Sequence, residues 1–393
     1  LLHHNTPSNK PVVLVLYDYF FPGYKAGGPV QSLVNMIATL SSQYTFKVVT
    51  YAYDLGETQP YAGITPDQWT NINLAPDVPI TCWYASRPIS RKLLVQLVVQ
   101  AHPHILYVNG IFSRSLFLGT LLAMPRIRKK VHCRLVVCPR GMMQQGALAV
   151  KSGKKKVYLA LLTKSGLLRN IIWHATTQDE LADIQTLVGK KALGCVAGNI
   201  PKKPLQHITQ PAKQAGRLRL IYLSLITEKK NLHLLLQVLQ SCTAVIELDI
   251  YGPVKDTAYW LQCQKLMQQL PPNVVVTYHA DIQPALVQDI IARYDAFILL
   301  TKGENFGHAI YESFSVGRPV ITSYFTPWNN LQQQQGGWNV DTANIPAIAG
   351  LLNSLAAKDN SEWVKWCANA HNVALSYYHS QDFAMDYRPL FFG

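Results

Sequence analysis

Short apolar runs rich in β-branched residues alternate with amphipathic helical stretches along the whole chain, which is the pattern of an α/β protein with parallel sheets. In the first half this pattern predicts strands over Val12–Tyr17, Phe46–Ala52, His104–Val108, Arg134–Cys138 and Ile171–Thr176. A second series predicts strands over Leu218–Ser224, Val245–Tyr251, Val274–Tyr278, Ala296–Thr301 and Pro319–Thr322, with helices such as His233–Gln240 and Pro284–Arg293 between them. The interval Ile200–Arg217 is polar, holds three prolines and shows no apolar period, so it reads as a linker. Ser361–Tyr378 reads as a helix with several aromatics, and Phe383–Phe392 is apolar enough to dock onto something. The expected organisation is a first domain over 1–205, a second over 206–370 and a C-terminal segment over 371–393. Two α/β halves joined by one linker imply a cleft, and ligands of open parallel sheets bind at the carboxyl ends of the strands.

Composition narrows the function. At 49% hydrophobic and 15% charged residues, 393 residues can bury large cores, so disorder is excluded. The net charge of +14 favours an anionic partner: nucleic acid, an anionic membrane or a phosphorylated substrate. Seven cysteines without a C-x-x-C pair indicate neither a zinc site nor a disulfide framework, which fits a reducing cytoplasm. No apolar run approaches the length of a bilayer span, and the first ten residues lack the apolar core of a secretory signal.

Two constellations carry candidate chemistry. After the first strand comes YDYFFPGYKAGGPVQSLVNMI, where Gly27-Gly28, then Pro29, then apolar positions at helical spacing start a helix. Its bare N-terminus either faces a phosphate or simply makes the strand-to-helix turn. No G-x-G-x-x-G fingerprint and no G-x-x-x-x-G-K-[ST] loop occurs, which argues against an ordinary NAD enzyme and a P-loop NTPase. The second constellation is TKGENFGHAIYESFSVGRPVITS: Glu304 sits in a Gly-rich loop and Glu312 in the helix that starts near Gly307. One carboxylate can accept ligand hydroxyls from the loop, the other from the helix, and Asn305–His308 free backbone N–H groups at the helix start. Glutamate near a helix N-terminus is also favoured by the macrodipole alone.

Glu304-x7-Glu312 inside GENFGHAIYES, the early GGPVQS loop and the KKN of SLITEKKNL resemble retaining glycosyltransferases of family 4, which have the GT-B fold. VNGIFS, CPRGMMQQGAL, HATTQDE, IYGPV and TPWNN are similar to a bacterial branch that assembles surface polysaccharides. The resemblance implies two Rossmann-like, doubly wound parallel-sheet domains, the first for the acceptor and the second for a nucleotide-sugar donor, with the C-terminal segment crossing back to the first. It implies that Glu312 holds the nucleotide ribose, Glu304 a donor-sugar hydroxyl, and Asn305, Phe306, Gly307 and His308 the sugar and phosphate by their backbone. It places Gly27 and Gly28 against the donor diphosphate, Lys230 in an ion pair with it, and Tyr251-Gly252 and the loop after Tyr278 beside the base. Arg140 in CPRG meets phosphate or acceptor, or is a structural ion-pair partner. Asp18 and Asn109 complete the acceptor side.

Two positions depart from the family pattern. Leu225 stands where the family commonly has an arginine ahead of the lysine, and losing a cation opposite a departing diphosphate typically costs about 10²- to 10³-fold in rate. Asn109-Gly110 stands where many members have His-Gly, and asparagine cannot act as a base. His174 follows a strand among Ile171, Ile172 and Trp173, which favours a packed structural role. In retaining transfer the leaving phosphate can itself take the acceptor proton. No D-x-D motif is placed for metal, and this type usually works without one, so no cofactor is expected.

The basic runs Lys151–Lys156, Arg126–Lys130 and Lys164–Arg169 all lie in the first domain, interleaved with apolar residues. They are either a solvated face or a surface for an anionic membrane, and no nucleic-acid module accompanies them. The expectation is a cytoplasmic, peripheral membrane glycosyltransferase that moves sugar from a nucleotide diphosphate sugar to a lipid-linked glycan of an O-antigen or exopolysaccharide. A catalytically impaired GT-B scaffold and a nucleotide-sugar epimerase are the alternatives.

Overall fold

The computed structural model describes residues 10–75, 77–143, 152–209 and 212–392, with 152 and 154–156 as backbone only. Most of MMQQGAL, the start of the basic run at Lys151 and all but the last of the first ten residues lie outside the described residues. The chain divides into two compact units: residues 1–200 with 382–393, and residues 201–381. The boundaries therefore fall at 200/201 and 381/382, and the helix Asn360–His379 lies wholly inside the second unit.

The first unit holds an eight-stranded sheet built from β1 (Val12–Leu16), β2 (Thr45–Tyr51), β3 (Trp69–Asn73), β4 (Pro79–Ala85), β5 (Ile105–Asn109), β6 (Arg134–Cys138), β7 (Ile172–Ala175) and β8 (Gly194–Val196). Its order is β3-β4-β2-β1-β5-β6-β7-β8, and only β3 runs antiparallel, against β4. All five residues of β5 are buried, as a central parallel strand covered on both faces requires. Helix α1 (Gly28–Leu40) starts at the predicted glycines with proline in its first turn. It is followed by α2 (Arg91–Ala101), α3 (Gly119–Arg128), α4 (Ser152–Lys164) and α5 (Gln178–Val188).

The second unit contains β9 (Arg217–Leu223), α6 (Leu232–Leu239), β10 (Val245–Tyr251), α7 (Thr257–Met267), β11 (Val274–Tyr278), α8 (Val287–Ile291), β12 (Ala296–Leu299), α9 (His308–Ser315), β13 (Val320–Ser323), β14 (Gly337–Val340), α10 (Ile345–Ala357) and α11 (Asn360–His379). Its sheet runs β11-β10-β9-β12-β13-β14, all parallel. In this doubly wound order the chain reverses direction across the sheet between β9 and β12, so the loops after those two strands open a crevice at their carboxyl ends. The same reversal in the first sheet lies between β1 and β5. Helix α12 (Phe383–Phe392) belongs to the first unit, where Tyr387 donates to the Gly198 carbonyl at 3.0 Å and Phe391 packs on Tyr44 and Tyr107.

The interval read as a linker is pinned to the second unit. Lys213, 5% exposed, donates to the carbonyls of Gln214, Ala356 and Lys358, the last two at the C-terminal end of α10. The fully buried Arg318 donates to the carbonyls of Thr209, Ala292, Val316 and Gly317. Both buried cations rest on carbonyl dipoles, which spreads their charge where a lone ion would be costly.

Candidate active site

At the second unit's reversal point, the loop after β9 carries a single 3₁₀ turn, Glu228–Lys230, stopped by Asn231 in the left-handed region. Asn231 donates from its buried side chain to the Leu300 carbonyl at 3.0 Å, and Lys302 N donates to the Lys229 carbonyl at 2.8 Å, so the loops after β9 and β12 are stitched together. That stitching brings Lys230 Nζ to 2.5 Å from Glu304 Oε1. The side chains are 19% and 10% exposed, enough for a ligand to reach and little enough to strengthen the pair over a surface one.

The loop bearing Glu304 is held from the other side too. Glu304 N donates to the Phe325 carbonyl at 2.9 Å, and the Trp328 indole donates to the Phe306 carbonyl at 2.5 Å. Phe306 is packed among Tyr311, Trp328 and Tyr377, which fixes the backbone of Asn305 and Phe306. Gly307 then turns at φ +82 to start α9, where an added Cβ would stand 3.0 Å from Ile310 Cδ1. Glu312 lies one turn into α9 and is 9% exposed, with no side-chain hydrogen-bond partner among the described residues. Burial raises its carboxyl to about 7, against the opposing charge of Lys202.

At the end of β10, Gly252 N donates to the Ala280 carbonyl at 2.6 Å and Tyr278 donates its hydroxyl hydrogen to the Gly252 carbonyl at 3.0 Å. Tyr251 stacks on His279 with centroids 4.7 Å apart, and its hydroxyl lies 3.2 Å from that of Tyr294. Asp249 accepts from Tyr294 at 2.6 Å and contacts His279 Nε2 at 2.8 Å. His279 opens the loop expected beside the base, whereas Asp249 and Tyr294 were missed by the sequence reading, because no spacing links a strand residue to one behind α8.

In the first unit, Gly27 adopts φ +75 and caps α1 without a side chain, and Asp54 holds the preceding loop by accepting from Tyr24 N and Lys25 N. Asp18, just past β1, accepts from Ser113 Oγ at 2.7 Å across the reversal point, and burial raises its carboxyl above the usual range while that hydrogen bond pulls it back. Asn109 ends β5 and Arg140 follows β6 with φ +54. Arg140 makes no ion pair among the described residues: it donates to Asn109 Oδ1 at 2.8 Å, to Asn199 Oδ1 and to the Tyr107 hydroxyl at 3.4 Å. His174 is fully buried and lowered to about 3 by burial and then by Arg140's charge. It is packed between Tyr107 and Tyr387.

Glu304 and Lys230 are thus brought into contact, with Asn305–His308 and Glu312 following along the same loop and helix. Gly252 and Tyr251 stand at the neighbouring strand end. Asn109 and Arg140 form one cluster in the first unit, and Asp18 is bound to Ser113 beside it in sheet order. Sequence reading did not find Asn199, Tyr107 or Ser32, whose polar groups meet only once β5, the loop after β6, the segment after β8 and α1 come together.

Residues 206–372 match the family model described as glycosyl transferases group 1. No curated protein matches. Among solved structures the chain is similar to Anabaena HepE, solved with UDP and glucose, at 15% identity over 97% of this chain and 98% of that one, with a TM-score of 0.66. Sucrose-phosphate synthase of Thermosynechococcus elongatus is 15% identical over 97% and 99%, with a TM-score of 0.69. WaaG, a glycosyltransferase involved in lipopolysaccharide biosynthesis, is 12% identical over 96% and 98%, with a TM-score of 0.62. These likenesses show the GT-B fold. The family match lies within the second unit, the one that carries the Lys230–Glu304 pair and Glu312.

Proposed function

We propose that the chain moves a sugar from a nucleotide diphosphate sugar to a hydroxyl of a lipid-linked glycan during assembly of a bacterial surface polysaccharide. The observation that carries the donor side is Glu312, a buried carboxyl without a side-chain hydrogen-bond partner among the described residues, one turn into the helix that follows the Lys230–Glu304 pair. A buried polar group left unpaired is costly, and the two hydroxyls of a ribose satisfy it. Lys230 meets the diphosphate and Glu304 a sugar hydroxyl. Tyr251 and Gly252 border the base. HepE was solved with UDP, which supports a nucleoside diphosphate as leaving group.

In the transfer, the bond between the anomeric carbon and the phosphate oxygen breaks and a bond from the acceptor oxygen forms on the same face. The acceptor proton passes to the departing phosphate, whose charge Lys230 offsets. With those fixed positive groups the reading needs no metal.

The membrane part of the reading rests on the first unit. Arg126, Arg128, Lys129 and Lys130 are exposed and unpaired among the described residues, and Leu122, Val157 and Leu161 expose apolar side chains at 39%, 60% and 63%. Each well-placed cation is worth about 1 kcal/mol at an anionic surface. No helix among the described residues is long and apolar enough to cross a membrane, so attachment in this reading is peripheral. WaaG's role in lipopolysaccharide biosynthesis supports the pathway class.

The test is a calorimetric panel of UDP, GDP and ADP sugars followed by transfer assays with lipid-linked acceptors. Binding of one donor with sugar transfer is the expected result. Binding without transfer favours the scaffold, the second reading, for which the half-buried Leu225 in place of an arginine is the motive.

A further inference from the structure

Among the described residues no carboxylate lies within ion-pair distance of Arg140. The nearest buried carboxylate, Glu180, is 0% exposed and already committed: Oε1 accepts from Gly141 N at 2.5 Å, and Oε2 accepts from Thr176 N at 2.8 Å and Thr176 Oγ1 at 2.6 Å. The three groups that do accept from Arg140 are neutral.

The directions of those bonds are fixed by chemistry. The Ala197 carbonyl can only accept, so His174 Nε2 carries the hydrogen at 2.8 Å and Nδ1 is the acceptor of the Tyr107 hydroxyl at 2.7 Å. Donors therefore run from Arg140 to Tyr107 to His174 to Ala197, and no member of that chain is anionic. Because Arg140 Nε only donates, Asn109 must present Oδ1 to it, and the Asn109 amide group is left pointing elsewhere. Asn109 is 2% exposed and its Nδ2 has no hydrogen-bond partner among the described residues. Asn199 Oδ1 is shared with Ser32 Oγ of α1 at 3.0 Å, which ties the cluster to the helix that starts at Gly28.

A guanidinium with five N–H groups has three of them satisfied here, next to an orphaned amide donor, at the carboxyl ends of β5 and β6 beside the reversal point. Ion pairing within the fold would have used a carboxylate, and the left-handed backbone at Arg140 shows the side chain being aimed at some cost. We propose that Arg140 and the Asn109 amide form an anion subsite in the first unit that takes a phosphate group of the acceptor, as in a prenyl diphosphate-linked sugar. The inference deepens the acceptor side of the function proposed above and rests on it for the word acceptor alone.

The test uses the full chain and three probes: inorganic pyrophosphate, farnesyl diphosphate and a panel of nucleoside diphosphates, each titrated by calorimetry. Asn109→Asp keeps the acceptor for Arg140 Nε but supplies the missing negative charge, and Arg140→Lys keeps the charge but loses the fork; thermal melting checks that both fold. Losing one charge-assisted contact weakens binding at least about tenfold. The expected result is that loss for pyrophosphate and farnesyl diphosphate in both variants, with nucleoside diphosphate affinity within about twofold of the parent. Equal loss for nucleoside diphosphates would support a phosphate subsite but assign it to the donor, overturning the acceptor assignment. Binding of both probes unchanged in whichever variant folds, or no binding to a parent chain that takes a nucleotide, would overturn the subsite itself. Failure of every nucleotide to bind would instead count against the glycosyltransfer reading, leaving the pyrophosphate comparison to decide the subsite.

Discussion

Lys230 Nζ and Glu304 Oε1 lie 2.5 Å apart although 74 positions separate the two residues in sequence. The contact exists because β9 and β12 are neighbours in the sheet and their following loops are bonded to each other. Under the proposed function each side chain occupies the place of what the other would meet: a carboxylate that of a diphosphate, an ammonium that of a polarised hydroxyl. Lys230→Met should therefore weaken nucleoside diphosphate binding and lower kcat/KM by about 10²- to 10³-fold. Glu304→Gln should release Lys230, so that nucleoside diphosphate binds as well or better while transfer falls. Calorimetry with kinetics on the same preparations separates the two.

Glu312→Gln tests the buried carboxyl. The group is raised by burial from 4.5 to about 7, so the folded chain holds more protons than the unfolded chain between those values. Its contribution to stability is complete below about 4.5 and is lost as pH rises through about 7. The glutamine variant should thus gain on the parent as pH rises over that window, by up to about 3 kcal/mol above it, while its affinity for nucleotide drops. Denaturant melts at pH 5 and pH 8 read the first part; a variant that gains equally at both would contradict it.

His174 has the opposite sign. Burial and the charge of Arg140 lower it from 6.5 to about 3, so the unfolded chain binds the extra proton first and stability is lost as pH falls below 6.5. A His174→Gln variant should be less stable than the parent at pH 7, where it loses packing, and the gap should narrow toward pH 4. Parallel melts across that range decide it.

Gly252 combines φ +134 with an added Cβ that would stand 1.9 Å from the Ser224 carbonyl oxygen. Gly252→Ala should cost more than about 2 kcal/mol and disturb nucleotide binding. Gly350, in exposed positions of α10 with nothing within 4 Å of its added Cβ, is the control: alanine there should stabilise by about 0.5–1 kcal/mol. Urea melts of both variants provide the comparison.

Leu225 is half-buried where the chain leaves β9, one residue beyond Ser224. Leu225→Arg should tighten nucleoside diphosphate binding and raise any measurable transfer. Unchanged affinity in a folded variant would mean that the side chain at this position does not face the diphosphate.

The central strands were legible because parallel strands buried on both faces are continuous apolar runs: Val12–Leu16 and Ala296–Leu299 stand out without any partner being known. The strands not foreseen are β3 (WTNIN), β4, the three-residue β8 and β14. β3, β8 and β14 lie at sheet edges, where polar residues and glycine are tolerated and the periodic signal fades. Pro284–Arg293 splits into a 3₁₀ turn and a five-residue helix, a distinction no periodicity carries. At the site, the loop position of Glu304 and the helical position of Glu312 could be read from Gly307 and Gly317, which bracket α9. The pairing of Lys230 with Glu304 and the meeting of Arg140, Asn109, Asn199 and Tyr107 could not, because each depends on which strands end side by side.

Helix α12 fills the first unit with Tyr387 and Phe391, 1% and 3% exposed, yet it is made only after residues 201–381. During synthesis the first unit must therefore emerge with Tyr44, Tyr107 and His174 lacking their aromatic cover, wait while the whole second unit is produced, and then be sealed by the returning chain. The protein is assembled as a loop in time, with its earliest-made core among the last parts to close.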